Sequence, residues 1–209
     1  MDIETRSAFA DKYACAELIQ SWGLFRDQGR WAELLETFVP EGVIAVSWFE
    51  GPFTEFVERC RIRDAKRAGR SKHFISPSVV HMSRDRALAE TSVIILVRQD
   101  IEGVAVDLTS NARFLDRLVK RDGIWKLVER TGIYERDRLD PVEPSPAFGE
   151  LMQRADCSRY PFQYRYMAFR IVAAAATLAM PVHCDGMAET EALRARYAAW
   201  LRGAPDGES

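Results

Sequence analysis

The chain has 209 residues, 47 % hydrophobic and 29 % charged, the balance of an ordinary globular protein with enough length for one domain and its core. A net charge of −2 and a pI near 6.0 remove the electrostatic basis for nucleic-acid binding; the densest basic run, Arg59 to Lys72, is partly offset by Asp64 and reads as a solvated helix end and loop. The first residues, Met1 to Arg6, lack an apolar signal core, and Cys15, Cys60, Cys157 and Cys184 show no metal or redox spacing, which predicts a cytoplasmic protein with reduced thiols.

In chain order, Ser7 is placed to cap a first helix running to about Asp27, with Leu18, Ile19, Trp22 and Phe25 at helical spacing and Gly29 as its stop. A second helix is predicted from Arg30 to Phe38, ended by Pro40 and Gly42, and the β-branched run Val43 to Val46 as the first strand. Gly51-Pro52 then opens a third helix that buries Phe53, Phe56, Val57 and Cys60. After a loop around Gly69, strands are predicted at Lys72 to Met82, Ala87 to Gln99, Val104 to Val119 and Ile124 to Tyr134, joined by hairpins of which Arg121-Asp122-Gly123 is the clearest. Helices followed by a run of strands predict an α+β architecture.

The proline-rich piece Pro141 to Pro146 marks a boundary, dividing a domain of residues 1–140 from a helical C-terminal extension of residues 141–209. In that extension Ser145 and Pro146 start one helix, and others are predicted near Pro161 to Leu178 and Thr190 to Arg202. Its most apolar part, Tyr166 to Met180, is interrupted by Arg170 and is shorter than the roughly 20 residues of a bilayer span, so no membrane contact is expected. The aromatic side chains of the extension require cover from the main domain or from a second subunit, and helices closing one face of the sheet leave its other face to be covered; on these two grounds a homodimer or higher homo-oligomer is the expected state.

Local motifs strengthen the order of elements. The segment Trp22 to Trp31 resembles the first-helix signature of the SnoaL-like, or polyketide-cyclase-like, branch of the nuclear-transport-factor-2-like superfamily: an aromatic, an Asp five residues on, and a Trp opening the second helix. Ser71-Lys72-His73-Phe74 resembles the histidine strand of that branch, and Arg113 to Arg130 its closing hairpin. The resemblance spans residues 7 to about 137. It implies a cone-shaped barrel formed by one strongly curved mixed or antiparallel sheet, with the N-terminal helices over its concave face. Members of the branch include scytalone dehydratase, hexachlorocyclohexane dehydrochlorinase, bile-acid dehydratase and formaldehyde-releasing diaryl lyases. The resemblance therefore implies cofactor-independent lyase or isomerase chemistry on a hydrophobic aromatic or alicyclic small molecule. It carries a catalytic dyad onto Asp27 and His73 and a pocket arginine onto Arg130. Trp22 stands where the dehydratases often carry a tyrosine, so that phenol is absent here.

The chemistry suits those residues. Histidine titrates near pH 6.5 in its unperturbed state, and a carboxylate on one ring nitrogen leaves the other free to take a proton. The competing reading makes His73 an ordinary structural histidine and Asp27 an exposed turn residue. Period two along the last strand puts Arg130 and Tyr134 on one face, where they could bind a substrate carboxylate or phenolate unless Arg130 is held by a structural carboxylate. Asn111, with Asp107, is a further candidate polar pocket residue, and Trp22 and Trp48 are candidate pocket walls. His81 lies too far along the strand to join His73, and His183 is expected at a surface or interface. The scattered histidines give no metal site, and no phosphate loop or serine elbow is present, so neither metal nor organic cofactor is expected. The same fold also serves as a non-catalytic small subunit or a ligand-binding and assembly module, which is the alternative function.

Overall fold

The computed structural model describes residues 3–65, 71–174, 176–179 and 182–204. The loop around Gly69 and the middle of the basic run fall outside the described residues. A long helix α1 (Ile3–Gln28) and a short α2 (Trp31–Leu35) precede strands β1 (Phe38–Val46) and β2 (Phe49–Pro52) and helix α3 (Phe53–Ala65). Strands β3 (Lys72–Ile75), β4 (Val79–Ser83), β5 (Arg86–Ile101), β6 (Val104–Arg121) and β7 (Ile124–Pro141) follow, then helices α4 (Pro146–Arg154), α5 (Arg165–Ala173) and α6 (Ala188–Leu201).

The strands form one mixed sheet in the order β2-β1-β7-β6-β5-β3, with β4 also on β5; β1 and β7 are parallel and the other pairs antiparallel. The sheet is curved and unclosed, and the α+β cone expected from the sequence is the architecture observed. Its bending has local causes. The β6–β7 register shifts twice, between Arg117 and Leu118 and between Asn111 and Ala112, and such bulges increase twist and bend the strand. Beside β5, the predicted strand from Lys72 to Met82 divides into β3 and β4 at Ser76-Pro77-Ser78, because proline has no N–H to give the ladder.

Helix α1 crosses the concave face with Cys15, Ile19 and Trp22 buried at helical spacing. It starts before Ser7, which is therefore not its cap, and ends as expected: Gly29 takes φ +69° and Arg30 N–H donates to the Phe25 carbonyl at 2.9 Å, the six-residue closure of a Schellman motif. Helix α2 stops at Leu35 rather than Phe38, since Phe38 already pairs with Leu127 in β1. Strand β2, unforeseen because Phe49-Glu50-Gly51-Pro52 has no strand-like alternation, pairs with the end of β1. The three hairpin turns place Arg84, Glu102 and Asp122 at positive φ, the last two followed by glycine, as two-residue turns with matching twist require.

Strand β7 runs past Tyr134 to Pro141, so the sheet ends at the proline-rich piece. Ser145 caps α4, accepting from Phe148 N–H at 3.4 Å, with Pro146 in the first turn. Helix α5 packs on β7 and β6, and Tyr164, Met167, Ala168 and Ile171 join the main core. Helix α6 lies on the convex face, where Leu193 and Tyr197 cover Leu115 and Ile133 and Tyr197 Oη is 3.1 Å from Thr131 Oγ1. Part of the outer sheet face is thus covered within the chain, which removes one of the two grounds for expecting a dimer. No helix among the described residues is long and apolar enough to cross a membrane. All four cysteines are buried and free of disulfides.

Candidate active site

The site begins with a backbone problem. β3 is the edge of the sheet, so the outward N–H of His73 has no strand to pair with, while Asp27, in the last turn of α1, carries a negative charge at the unfavourable end of the helix. Each solves the other. Asp27 Oδ2 accepts His73 N–H at 2.8 Å, and Asp27 Oδ1 lies 2.6 Å from His73 Nδ1; Lys72 Nζ approaches Oδ2 at 3.4 Å. Burial pushes the Asp27 carboxyl up, but the hydrogen bond and charge of His73, its backbone N–H and the Lys72 charge outweigh this and leave it below the usual range. A carboxylate can only accept, so Nδ1 carries the hydrogen, and in the neutral ring it is Nε2 that presents a lone pair. Both oxygens bind the same residue, which fixes the ring relative to its own backbone.

Close approach of α1 to β3 makes this possible. Gly23 faces Ile75, and a methyl group at Gly23 would run into Ile75 Cδ1. The preceding residue, Trp22, meets the His73 ring edge to face, with centroids 5.9 Å apart.

His73 opens into an apolar cavity of about 60 Å³ lined by Trp22, Trp48, Phe56, Ile95, Val97 and Phe114 among others. Arg26, Arg63, Tyr134, Met167 and Arg170 complete the polar and flexible parts of its wall. Arg26 is paired with Asp64 at 2.9 Å, and the Arg63 guanidinium lies 3.9 Å from the Trp48 ring centroid. Tyr134 Oη accepts the Ser47 N–H at 2.9 Å, and Tyr164 donates to the Ser47 carbonyl at 3.0 Å, so two phenols brace one peptide of the wall. Burial raises the Tyr134 phenol, which keeps its proton available for donation.

Of the residues singled out from the sequence, Asp27 and His73 touch, and His73, Trp22, Trp48 and Tyr134 line one cavity. Arg130 does not line it. It is fully buried behind Trp22 and Phe114, binds Asp116 through two bonds of 2.7 Å, and stands 4.3 and 4.1 Å from those two ring centroids. The structural-carboxylate alternative is the one observed, and burial pushes the Asp116 carboxyl up against the pull of Arg130. Asn111 is also elsewhere: odd residues of β6 in this region face outward, placing it in a surface groove with Arg136, Arg138 and Tyr166, and Asp107 pairs with exposed Arg98. His81 is exposed on β4, and His183 is half-buried, its carbonyl accepting Tyr134 N–H at 2.9 Å.

The sequence reading missed Arg170 and Met167, taken there only as a packed helix. The signal available was a lone arginine in the most apolar stretch of the chain. No cluster of three His, Cys, Asp or Glu side chains among the described residues is placed to hold a metal ion.

Comparison with known proteins agrees with this architecture. Pea pathogenicity protein 2 of Fusarium vanettenii is 27 % identical over 165 residues; these cover 73 % of this chain, which spans 66 % of that relative. Among solved structures, LinA superposes with a TM-score of 0.57 at 14 % identity, covering 68 % of this chain and 97 % of its own. A Novosphingobium aromaticivorans protein provisionally named a scytalone dehydratase gives 0.52 at 16 % identity, covering 68 % and 93 %. At such identities the superpositions establish the fold alone. The SnoaL-like domain matches residues 7–131, more than half of the chain, and the protein accordingly belongs to the SnoaL-like domain family.

Proposed function

We propose that this protein is a cofactor-independent lyase or isomerase acting on a hydrophobic aromatic or alicyclic small molecule, with His73 as general base and Asp27 as its positioning residue. The observation that carries the reading is the two-point grip of Asp27 on the ring and backbone of His73 at the wall of an apolar cavity. His73 Nε2 removes a proton from carbon. The electron pair left behind forms a double bond as a neighbouring leaving group departs with its own pair, or the proton returns at another carbon. Asp27 stabilises the imidazolium formed in between. Tyr134 is placed to donate to a leaving group or a carbonyl oxygen. The SnoaL-like family and a structural neighbour provisionally named a scytalone dehydratase support lyase chemistry without identifying the substrate.

A cavity of about 60 Å³ is smaller than the roughly 150 Å³ that accommodates benzene. Trp48 and Arg63 line both this cavity and an outer groove of about 470 Å³, so in this reading their displacement is the route for a ring-sized substrate. The narrow cavity is also the observation favouring the second reading, a non-catalytic binding or assembly module. Incubation in D₂O with a panel of aromatic and alicyclic compounds carrying acidic C–H bonds decides between them. The catalytic reading expects deuterium incorporation or elimination that falls by about 10²- to 10⁴-fold in His73→Ala. A panel that shows neither, or turnover indifferent to His73, refutes it.

A further inference from the structure

The C-terminal extension closes around Tyr134 and holds its backbone, its ring and its hydroxyl. We propose that Tyr164 is a positioning residue which, through Ser47, aims the Tyr134 hydroxyl as the acid that protonates an oxygen leaving group, so that the bond broken joins carbon to a hydroxyl oxygen. The inference rests on the reading of His73 as the base. It adds to that reading a class of leaving group and a residue outside the matched SnoaL-like segment, residues 7–131.

The pairing of β1 with β7 reaches Ala45 and Thr131, and past that point the extension takes the place of β1. Tyr134 N–H donates to the His183 carbonyl at 2.9 Å and Asp185 N–H donates to the Tyr134 carbonyl at 2.9 Å, a parallel bridge centred on Cys184. Tyr164 packs on the Tyr134 ring with centroids 5.0 Å apart, and the two residues are 1 % and 2 % exposed. The hydroxyl is set through Ser47. Ser47 N–H donates to Tyr134 Oη at 2.9 Å, while the Ser47 carbonyl accepts from Tyr164 Oη at 3.0 Å and from Ala179 N–H at 3.1 Å. Tyr164 is itself tied to β7, because Asp137 Oδ2 accepts the N–H groups of Tyr166 and Met167 in the first turn of α5 at 2.8 and 2.7 Å.

The direction of these bonds matters for the chemistry. A phenol has one hydrogen to give and accepts through its oxygen. With Ser47 N–H donating to Oη, Tyr134 uses an acceptor site on the wall and keeps its hydrogen for the cavity that it lines. Chloride leaves without a proton, whereas hydroxide leaves readily only once protonated, so a donor held in this way is matched to an oxygen leaving group. His73 takes a proton from carbon, and the C–H pair forms a double bond to the neighbouring carbon. The C–O pair goes to the oxygen, which takes the Tyr134 proton and departs as water. Return of the His73 proton to the phenolate through solvent restores both groups.

The probes are 3-hydroxycyclohexanone and 3-chlorocyclohexanone, which give the same enone by loss of water or of hydrogen chloride and are followed by its ultraviolet absorbance. A positioned acid contributes about 10²-fold or more, so relative to the uncatalysed reactions the native protein should favour loss of water over loss of chloride by that factor. Tyr134→Phe should remove the factor. Tyr164→Phe leaves the Ser47 carbonyl its bond from Ala179 and should reduce the factor by about 10-fold through misplacement of the hydroxyl. A Tyr164→Phe variant that slows both eliminations alike shows a merely structural residue and overturns the proposal. A native protein that keeps the uncatalysed preference for chloride, or forms no enone from the hydroxy ketone, overturns it even if neither variant folds; His73-dependent deuterium exchange into that ketone then measures the base separately. If His73→Ala slows both losses while Tyr164→Phe leaves the preference unmoved, the positioning role alone falls. If the preference depends on Tyr164 while neither loss depends on His73, the base assignment alone falls.

Discussion

Arg130→Met separates a structural arginine from a substrate-binding one. Arg130 and Asp116 are both fully buried and share two bonds of 2.7 Å, so removing the cation leaves a carboxylate with no counter-charge and no solvent. Breaking such a pair from one side costs about 3–5 kcal/mol, whereas replacing both partners by apolar groups of similar volume is often neutral or stabilising. For a chain of this size each kcal/mol moves Tm by about 2–4 °C, so Arg130→Met should lower it by about 6–20 °C. Asp116→Leu combined with Arg130→Met should recover most of the loss. Calorimetric melts of the two single variants and the double variant provide the cycle, with tryptophan emission reporting whether Trp22, which stacks on Arg130, stays packed. If Arg130→Met melts with the native protein, or the double variant is less stable than both singles, the pair is not the closed structural unit inferred here.

Three further outcomes follow from the same geometry. Tyr134→Phe removes the acceptor of the buried Ser47 N–H and should cost about 1–3 kcal/mol, seen as a lower urea midpoint with unchanged slope; an unchanged midpoint would show the strut to be dispensable. Gly23→Ala should displace α1 from β3 through Ile75 and cost about 1–3 kcal/mol from overpacking, less ~1 kcal/mol of helix propensity, with Gly23→Ala/Ile75→Val restoring the native melt; failure of that rescue would locate the strain elsewhere. The folded-state pKa of Asp27 is depressed, so its contribution to stability is present above the ordinary value of 3.8 and lost as pH falls below it; the stability gap between native protein and Asp27→Asn should be full at pH 7 and close in acid, and a gap constant with pH would contradict the pairing.

Much of this was readable before the fold was known because it depends on local chemistry. Asp122-Gly123 fixes the β6–β7 hairpin, and the Trp22 to Trp31 and Ser71 to Phe74 motifs bring Asp27 and His73 forward as a pair. Arg130 was not readable in the same way. Counting back from the turn puts Glu129 opposite Asp116; the bulge at Val128 moves the register by one residue and delivers Arg130 instead. Asn111 was misplaced for want of the face assignment, which the long-range packing of α1 and α6 decides. Arg170 stands out in the sequence as a lone arginine in an apolar stretch, but its place beside the cavity depends on the fold of α5 back onto β7 and Gln99, a tertiary event that local sequence does not fix. The structure adds a separate ground for the dimer expectation, the apolar side chains of Phe74, Val79 and Ile94 that remain exposed near the β3 and β4 edge, and light scattering at twice the chain mass of 23.8 kDa is the result expected.

The central claim is that Asp27 orients His73 as a base, and ¹⁵N NMR of the histidine ring tests it without a substrate. With His73 neutral, the native protein should show hydrogen on Nδ1 and a bare Nε2, and Asp27→Asn should lose that single tautomer. A native His73 carrying its hydrogen on Nε2, or a ring indifferent to Asp27→Asn, would contradict the account.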